Sequence, residues 1–165
     1  MTDQSALITP FQPGEEQAVI DLIVPIQRDE FGIAISAADQ PDLLAIPTFY
    51  QSGQGDFWVA KVADRIVGTI SLKDIGQGQG ALRKMFVAAP YRGQPHRIAA
   101  RLLDHLLAQA RDRGFREIFL GTTDKFHAAH RFYEKQGFRE VTAEALPANF
   151  PRMAVDTRFY VRALA

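Results

Sequence analysis

The chain has 165 residues, 47% hydrophobic and 23% charged, which suits a single compact domain over residues 1–165 and excludes disorder as its main state. Its 19 basic and 19 acidic side chains cancel, so the overall charge does not point to nucleic acid, although a local basic strip is compatible with that balance. Cysteine is absent, which removes disulfides, thiolate metal sites and cysteine nucleophiles and fits a reducing cytoplasm.

The opening MTDQSALITP carries neither a basic leader nor a long apolar stretch. No run approaches the roughly 18 apolar residues that span a bilayer. The expectation is a soluble, cytoplasmic protein with no membrane segment and no nucleic-acid partner. In chain order, Ala6 to Thr9 is a short β-prone run ended by Pro10, and Pro13-Gly14-Glu15-Glu16 opens a helix. On that helix Val19, Ile20, Leu22, Ile23 and Ile26 form one apolar stripe, which reads as core with no sign of a site. From Phe31 to Gly55 the pattern weakens, with a short helix predicted near Ser36 to Ile46 and a loop at Ser52 to Gly55.

Phe57 to Val62 and Ile66 to Leu72 are β-rich runs joined by Ala63-Asp64-Arg65, which predicts an antiparallel hairpin. The glycine-rich Asp74 to Gly80 reads as a hairpin loop: no Gly-Lys-Ser/Thr follows, and a strand, Ala81 to Ala88, comes next where a phosphate loop would lead into a helix. The strongest periodicity is Ile98 to Arg113, an amphipathic helix stopped by Gly114. A buried strand over Glu117 to Thr122, a helix over Phe126 to Gln136 closed by Gly137, and a last strand within Met153 to Leu164 complete the order. The result is a mixed α/β chain in which a helix follows the strand end and the Tyr91-Arg92-Gly93 turn. A helix start offers unpaired N–H groups and about half a positive charge, so that junction suits a phosphate.

Phe86-Val87-Ala88-Ala89-Pro90-Tyr91-Arg92-Gly93, then Gln94-x-x-Arg97-x-Ala99 and the amphipathic helix, resembles the acetyl-coenzyme A site of the GNAT N-acetyltransferases. Downstream, Ala129-His130-Arg131-Phe132-Tyr133-Glu134-Lys135-Gln136-Gly137-Phe138 is similar to the family's second motif, with its Phe-Tyr-x-x-x-Gly-Phe ending. The resemblance is strongest from Trp58 to Phe138. It implies a mostly antiparallel sheet of six or seven strands that splays near the cofactor, with helices on both faces. It implies acetyl-CoA as acyl donor, a small-molecule or peptide amine as acceptor, and no metal; family members often pair into homodimers.

Carried over residue by residue, the resemblance assigns Phe86 and Val87 to the pantetheine arm. Arg92, Gly93, Gln94, His96, Arg97, Ile98 and Ala99 fall to the pyrophosphate, and Ala129 and Phe132 to the cofactor channel. The chain departs from the family pattern at Arg97, where glycine is usual, and at Pro95. Arg97 either crowds the phosphate or lends it a guanidinium. Tyr133 is the candidate catalytic acid, because a departing thiolate needs a proton and a phenol can give one; packing near a helix end is the alternative role.

No base is identified. Where some family members place a glutamate, this strand reads Ala81-Leu82-Arg83-Lys84-Met85, and Asp74, Asp124 and Asp156 remain candidates. Strand alternation puts Arg83 and Lys84 on opposite faces, so at most one faces the cleft, where a cation would favour an acidic acceptor. Tyr50, Phe150 and Asp156 are candidate pocket residues, with Asp74. His127 and His130 are expected beside the cofactor channel, and His105 on the exposed face of the long helix; a zinc site is not expected. Two readings from other classes stay open: a non-catalytic acyl-CoA sensor and a nucleotide-binding α/β domain.

Overall fold

The structure, a computed structural model, describes residues 6–124 and 126–164, so Met1 to Ser5, on which part of the leader reading rests, lie outside the described residues. Its strands are β1 (Leu7–Pro10), β2 (Asp56–Val62), β3 (Arg65–Asp74), β4 (Gln79–Val87), β5 (Glu117–Thr122), β6 (Arg139–Val141) and β7 (Arg158–Ala163). They form one sheet in the order β1-β2-β3-β4-β5-β7-β6. The predicted hairpin is β2–β3, and the glycine-rich segment closes a second one, β3–β4, through Gly76, Gln77 and Gly78 at positive φ.

Every pairing is antiparallel except β4 with β5. A parallel joint needs a crossover, and helix α3 (Ile98–Asp112) supplies it. That joint is short: it runs from Gln79 opposite Glu117 to Ala81 opposite Phe119, after which the strands part. Beyond it β4 is bent by a bulge. Its pairing with β3 passes from Ser71–Arg83 to Thr69–Phe86, so three steps on β4 match two on β3, and Lys84 takes the extra place at φ 52°. The sheet therefore opens into a V between β4 and β5.

The pleat of β2 divides the core. Trp58, Ala60 and Val62 join the α3 stripe Ile98, Leu102, Leu103, Leu106 and Leu107 on one face. Phe57 and Val59 meet Val19, Ile23, Leu43, Ile46 and Tyr50 on the other. His105 is half-buried rather than exposed: its ring stands edge-on to Trp58 at 5.4 Å, and burial lowers its pKa.

Three elements differ from the sequence reading. Helix α1 (Glu16–Pro25) runs into a π-helical turn at Ile26–Glu30. Pro25 has no N–H for the α-helical ladder, and the backbone widens there. The helix expected at Ser36 to Ile46 is replaced by a Ser36–Asp39 turn, a 3-10 turn at Pro41–Leu44 and the four-residue α2 (Ile46–Phe49). Pro41 forces Gln40 out of helical geometry, to φ −128° and ψ 71°. Strand β6 was not foreseen; it follows α4 (His127–Lys135) and is only three residues long.

Candidate active site

The V between β4 and β5 holds a cavity of about 340 Å³. One wall is β4 from Leu82 to Val87, and the opposite wall is Leu120 to Thr123 with α4 residues Ala129, Phe132 and Tyr133. The π-helical turn adds Ile26 and Gln27, and the loop before β7 adds Phe150, Met153 and Asp156. A second cleft, about 740 Å³, lies beyond that loop and shares Ile35, Arg83, Met153 and Val155 with the first.

Of the residues singled out from sequence, Phe86, Val87, Arg92, Ala99, Ala129, Phe132, Tyr133, Phe150 and Asp156 all line the first cavity. Gly93, Gln94, His96 and Arg97 form the turn leading into α3; Ile98 turns inward and is buried among core residues. Arg97 is the N-cap at φ 52°, ψ 37°, the left-handed region glycine enters most readily, so the departure from the family pattern carries a conformational cost. No side chain caps α3, and the Arg97 N–H is used by the Gly93 carbonyl at 2.9 Å. The amides of the first turn of this 15-residue helix are thus left to a ligand beside Ala99. Arg92 is held across the same end, its Nε donating to the Val87 carbonyl at 2.8 Å and its NH1 2.7 Å from Glu30. The His96 ring lies tilted against Tyr91, ring centres 5.1 Å apart.

Tyr133 is buried among Phe132, Phe138 and Tyr160, and its hydroxyl donates to Met85 Sδ at 3.6 Å. Burial raises its pKa, so the phenol stays protonated across ordinary pH. Behind it His130 ties α4 to the end of β5. Arg158 NH1 donates to Nδ1 at 2.9 Å, which leaves Nε2 carrying the hydrogen it donates to the Thr123 carbonyl at 2.8 Å. His130 is therefore a buried support, and neither it nor the exposed His127 lines the cavity.

Two candidate pocket residues lie elsewhere. Asp74 closes turns, accepting from the Gln54 and Gly76 amides at 3.0 and 2.9 Å. Tyr50 is fully buried in the second core and lines neither cavity; its hydroxyl donates to Asp42 Oδ2 at 2.5 Å. Asp124, weighed as a base, is exposed and lines neither cavity.

The bulge corrects the alternation expected at Arg83 and Lys84. Both side chains line the first cavity and converge on Asp42, at 4.0 and 3.6 Å from its Oδ2. Lys84 Nζ donates to Gln40 Oε1 at 2.5 Å, and Gln40 exchanges hydrogen bonds with Gln27 on the π-helical turn. Burial lowers the Lys84 pKa to about 8 against the raising effect of Asp42. Asp156, its Oδ2 accepting from the Met153 amide at 2.9 Å, has its pKa raised chiefly by burial. It lies over Gly121, where any Cβ would come within 2.7 Å of that carboxylate. Sequence reasoning missed Gln27, Gln40 and Asp42; the one available signal was Asp42 itself, a carboxylate within an otherwise apolar Pro41-to-Ile46 stretch. Among the described residues no three of His, Cys, Asp or Glu gather closely enough to hold a metal ion, and no helix is long and apolar enough to cross a membrane.

An open helix start, an apolar slot in a splayed sheet and a protonated phenol in its wall define the acyl-CoA N-acyltransferase fold. A family model described as Acetyltransferase (GNAT) family matches residues 20–138, and the chain belongs to that family. Over 124 residues it is 32% identical to the "Probable N-acetyltransferase camello" of Xenopus tropicalis, covering 73% of this chain and 56% of that protein. The chain spans about half the length of the curated relatives it matches. A crystal structure of a GNAT-family acetyltransferase from Staphylococcus aureus Mu50 superposes with a TM-score of 0.94 at 39% identity, over 98% of this chain and 100% of that one. The N-acetylglutamate synthase of Neisseria gonorrhoeae, solved with coenzyme A and N-acetyl-glutamate, shares the fold: TM-score 0.77, 17% identity, 99% of this chain and 36% of that one.

Proposed function

We propose that the protein transfers an acetyl group from acetyl-CoA to a primary amine by direct attack within a ternary complex. Bound acetyl-CoA supplies a thioester carbonyl carbon for the amine nitrogen to attack, a C–N bond forming as the C–S bond breaks. The observation that carries this reading is the slot between β4 and β5, with the uncapped α3 start at one end and Tyr133 in its wall. The α3 amides and Arg92 hold phosphate, and the apolar faces of Phe86, Val87, Ala129 and Phe132 exclude water from the arm. The Tyr133 hydroxyl gives its proton to the leaving sulfur, and the proton lost by the amine restores it through the cavity.

The assay is acetyl-CoA-dependent release of free thiol with a panel of amines, beside calorimetric titration with acetyl-CoA and with ATP and NAD as controls. Coenzyme-selective binding with amine-dependent thiol release is expected. Binding without transfer to any amine would leave a sensor, and competition by ATP or NAD alone would make it a nucleotide-binding domain. Arg97→Gly tests the loop: weaker acetyl-CoA binding makes Arg97 a ligand, and tighter binding makes it an obstruction.

A further inference from the structure

The wall between the two cavities carries a guanidinium with no hydrogen-bonded anion among the described residues. Arg83 is the residue both cavities share that bears a charge. Its side chain is only 10% exposed, its NH1 donates to the Pro151 carbonyl at 3.0 Å, and the Phe49 ring lies 5.5 Å from its centre. The nearest carboxylate oxygen, Asp42 Oδ2, is 4.0 Å from NH2, beyond hydrogen-bond length. Asp42 is committed elsewhere: it accepts from Tyr50 and lies closer to Lys84, whose ammonium also has Gln40 and, at 3.8 Å, the Met153 sulfur. Asp42 and Asp156 both act on the two buried cations, but Asp42 forms its short hydrogen bond with a phenol and Asp156 with a backbone amide, so neither carboxylate is hydrogen-bonded to Arg83. A buried guanidinium with one carbonyl acceptor and no hydrogen-bonded carboxylate keeps donors for a ligand, and a planar carboxylate matches its donor geometry.

A complementary group stands across the same cavity. Asp156 lines the first cavity from the loop before β7, and its carboxylate has one backbone amide partner at 2.9 Å, which leaves acceptor capacity for an ammonium. Arg152, on the same loop, lines the second cleft and adds positive potential where an anion would enter. With the acyl donor placed in the slot from the α3 side as proposed above, the second cleft, with Arg83 on the wall it shares with the first cavity, is the opening that remains for the acceptor.

We infer that the acceptor is an amino acid, its carboxylate seated on Arg83 and its amine turned toward Asp156. This rests on the acetyl-transfer reading above and names the class of amine. Recognition needs both charges on one small molecule. A monoamine lacks the anion, and an amide-capped acceptor offers Arg83 only a neutral carbonyl.

The test compares α-amino acids with their matched α-carboxamides as acceptors for the wild-type protein, Arg83→Gln and Arg83→Lys, with each variant's fold checked by thermal melting. The wild type is expected to favour the free carboxylates by about 10- to 100-fold in kcat/KM, the worth of a charge-assisted hydrogen bond. In Arg83→Gln that preference collapses through KM, and Arg83→Lys keeps part of it. Equal use of carboxylate and carboxamide by the wild type overturns the proposal without any variant, as does a preference that survives Arg83→Gln. Should no amine be acetylated, the transfer reading fails by itself. Calorimetric titration of the coenzyme A-loaded protein with the same pairs then decides the seat: carboxylate-dependent binding supports it, and its absence overturns it.

Discussion

The two faces of the sheet are built from different materials. Against α3 lies a dry layer in which Trp58, Leu102, Leu103 and Leu106 are essentially inaccessible and the packing is apolar or aromatic, with the Arg113 guanidinium over the Trp58 ring at its border. Against α1 the apolar layer is smaller, and at its end Gln27, Gln40, Asp42 and Lys84 are buried with it. The first arrangement gains from area removed from water; the second holds charges that are tolerable only while each keeps its partner. Stability is concentrated on one face and chemistry at the margin of the other.

That contrast can be broken by mutation. The largest loss is expected from Asp42→Ala, which removes the carboxylate paired with Lys84 and nearest to Arg83 and leaves the Tyr50 hydroxyl without that acceptor. Removing one partner of a buried ion pair costs about 3–5 kcal/mol, to be read from denaturant midpoints. Leu102→Ala on the opposite face should cost about 3 kcal/mol by cavity formation and leave acetyl-CoA binding intact. Comparable destabilisation with abolished binding would show that the two faces are not separable. Tyr133→Phe should lower kcat by about 100-fold with little change in melting temperature; unchanged turnover removes Tyr133 from the acid role.

A finer test uses pH. Lys84 in the folded protein has a pKa near 8 against 10.5 in the unfolded chain, so between those values the unfolded state binds more protons and stability rises with pH. Melting temperatures should therefore climb from pH 8 toward pH 10, and Lys84→Met should flatten that climb. The smallest effect is expected from Lys61→Met, which removes a partly exposed pair with Glu15 and should cost under about 1 kcal/mol.

The dry face was legible because α3 repeats its leucines at helical spacing and β2 and β3 are rich in β-branched and aromatic residues. The turn into α3 and the place of Tyr133 in the cavity wall were legible through their motifs, and Phe150 and Asp156 line the same cavity. The polar margin was not. Alternation assigned Arg83 and Lys84 to opposite faces because nothing local marks the extra residue at Lys84, a bulge that exists only through pairing with β3. Tyr50 and Asp74 were misplaced for a related reason: an aromatic near a strand and an aspartate near a loop look alike whether they meet a ligand or a backbone amide. Gln27 and Gln40 meet only because a proline-widened turn and a 3-10 turn come together across 13 residues, a separation with no periodic signature.

The strand order sets a timetable for assembly. β7 lies between β5 and β6 but is made after both, and the loop that delivers Phe150, Met153 and Asp156 is made immediately before it. A nascent chain that has emerged only as far as α4 holds most of the α3 layer and the turn into α3, yet it lacks Tyr160 and Leu164 of that core, β5 lacks one neighbour and the cavity lacks a wall. Such an intermediate presents an unpaired strand edge, where non-native pairing begins. The cleft therefore cannot close until the loop before β7 and β7 itself have been made.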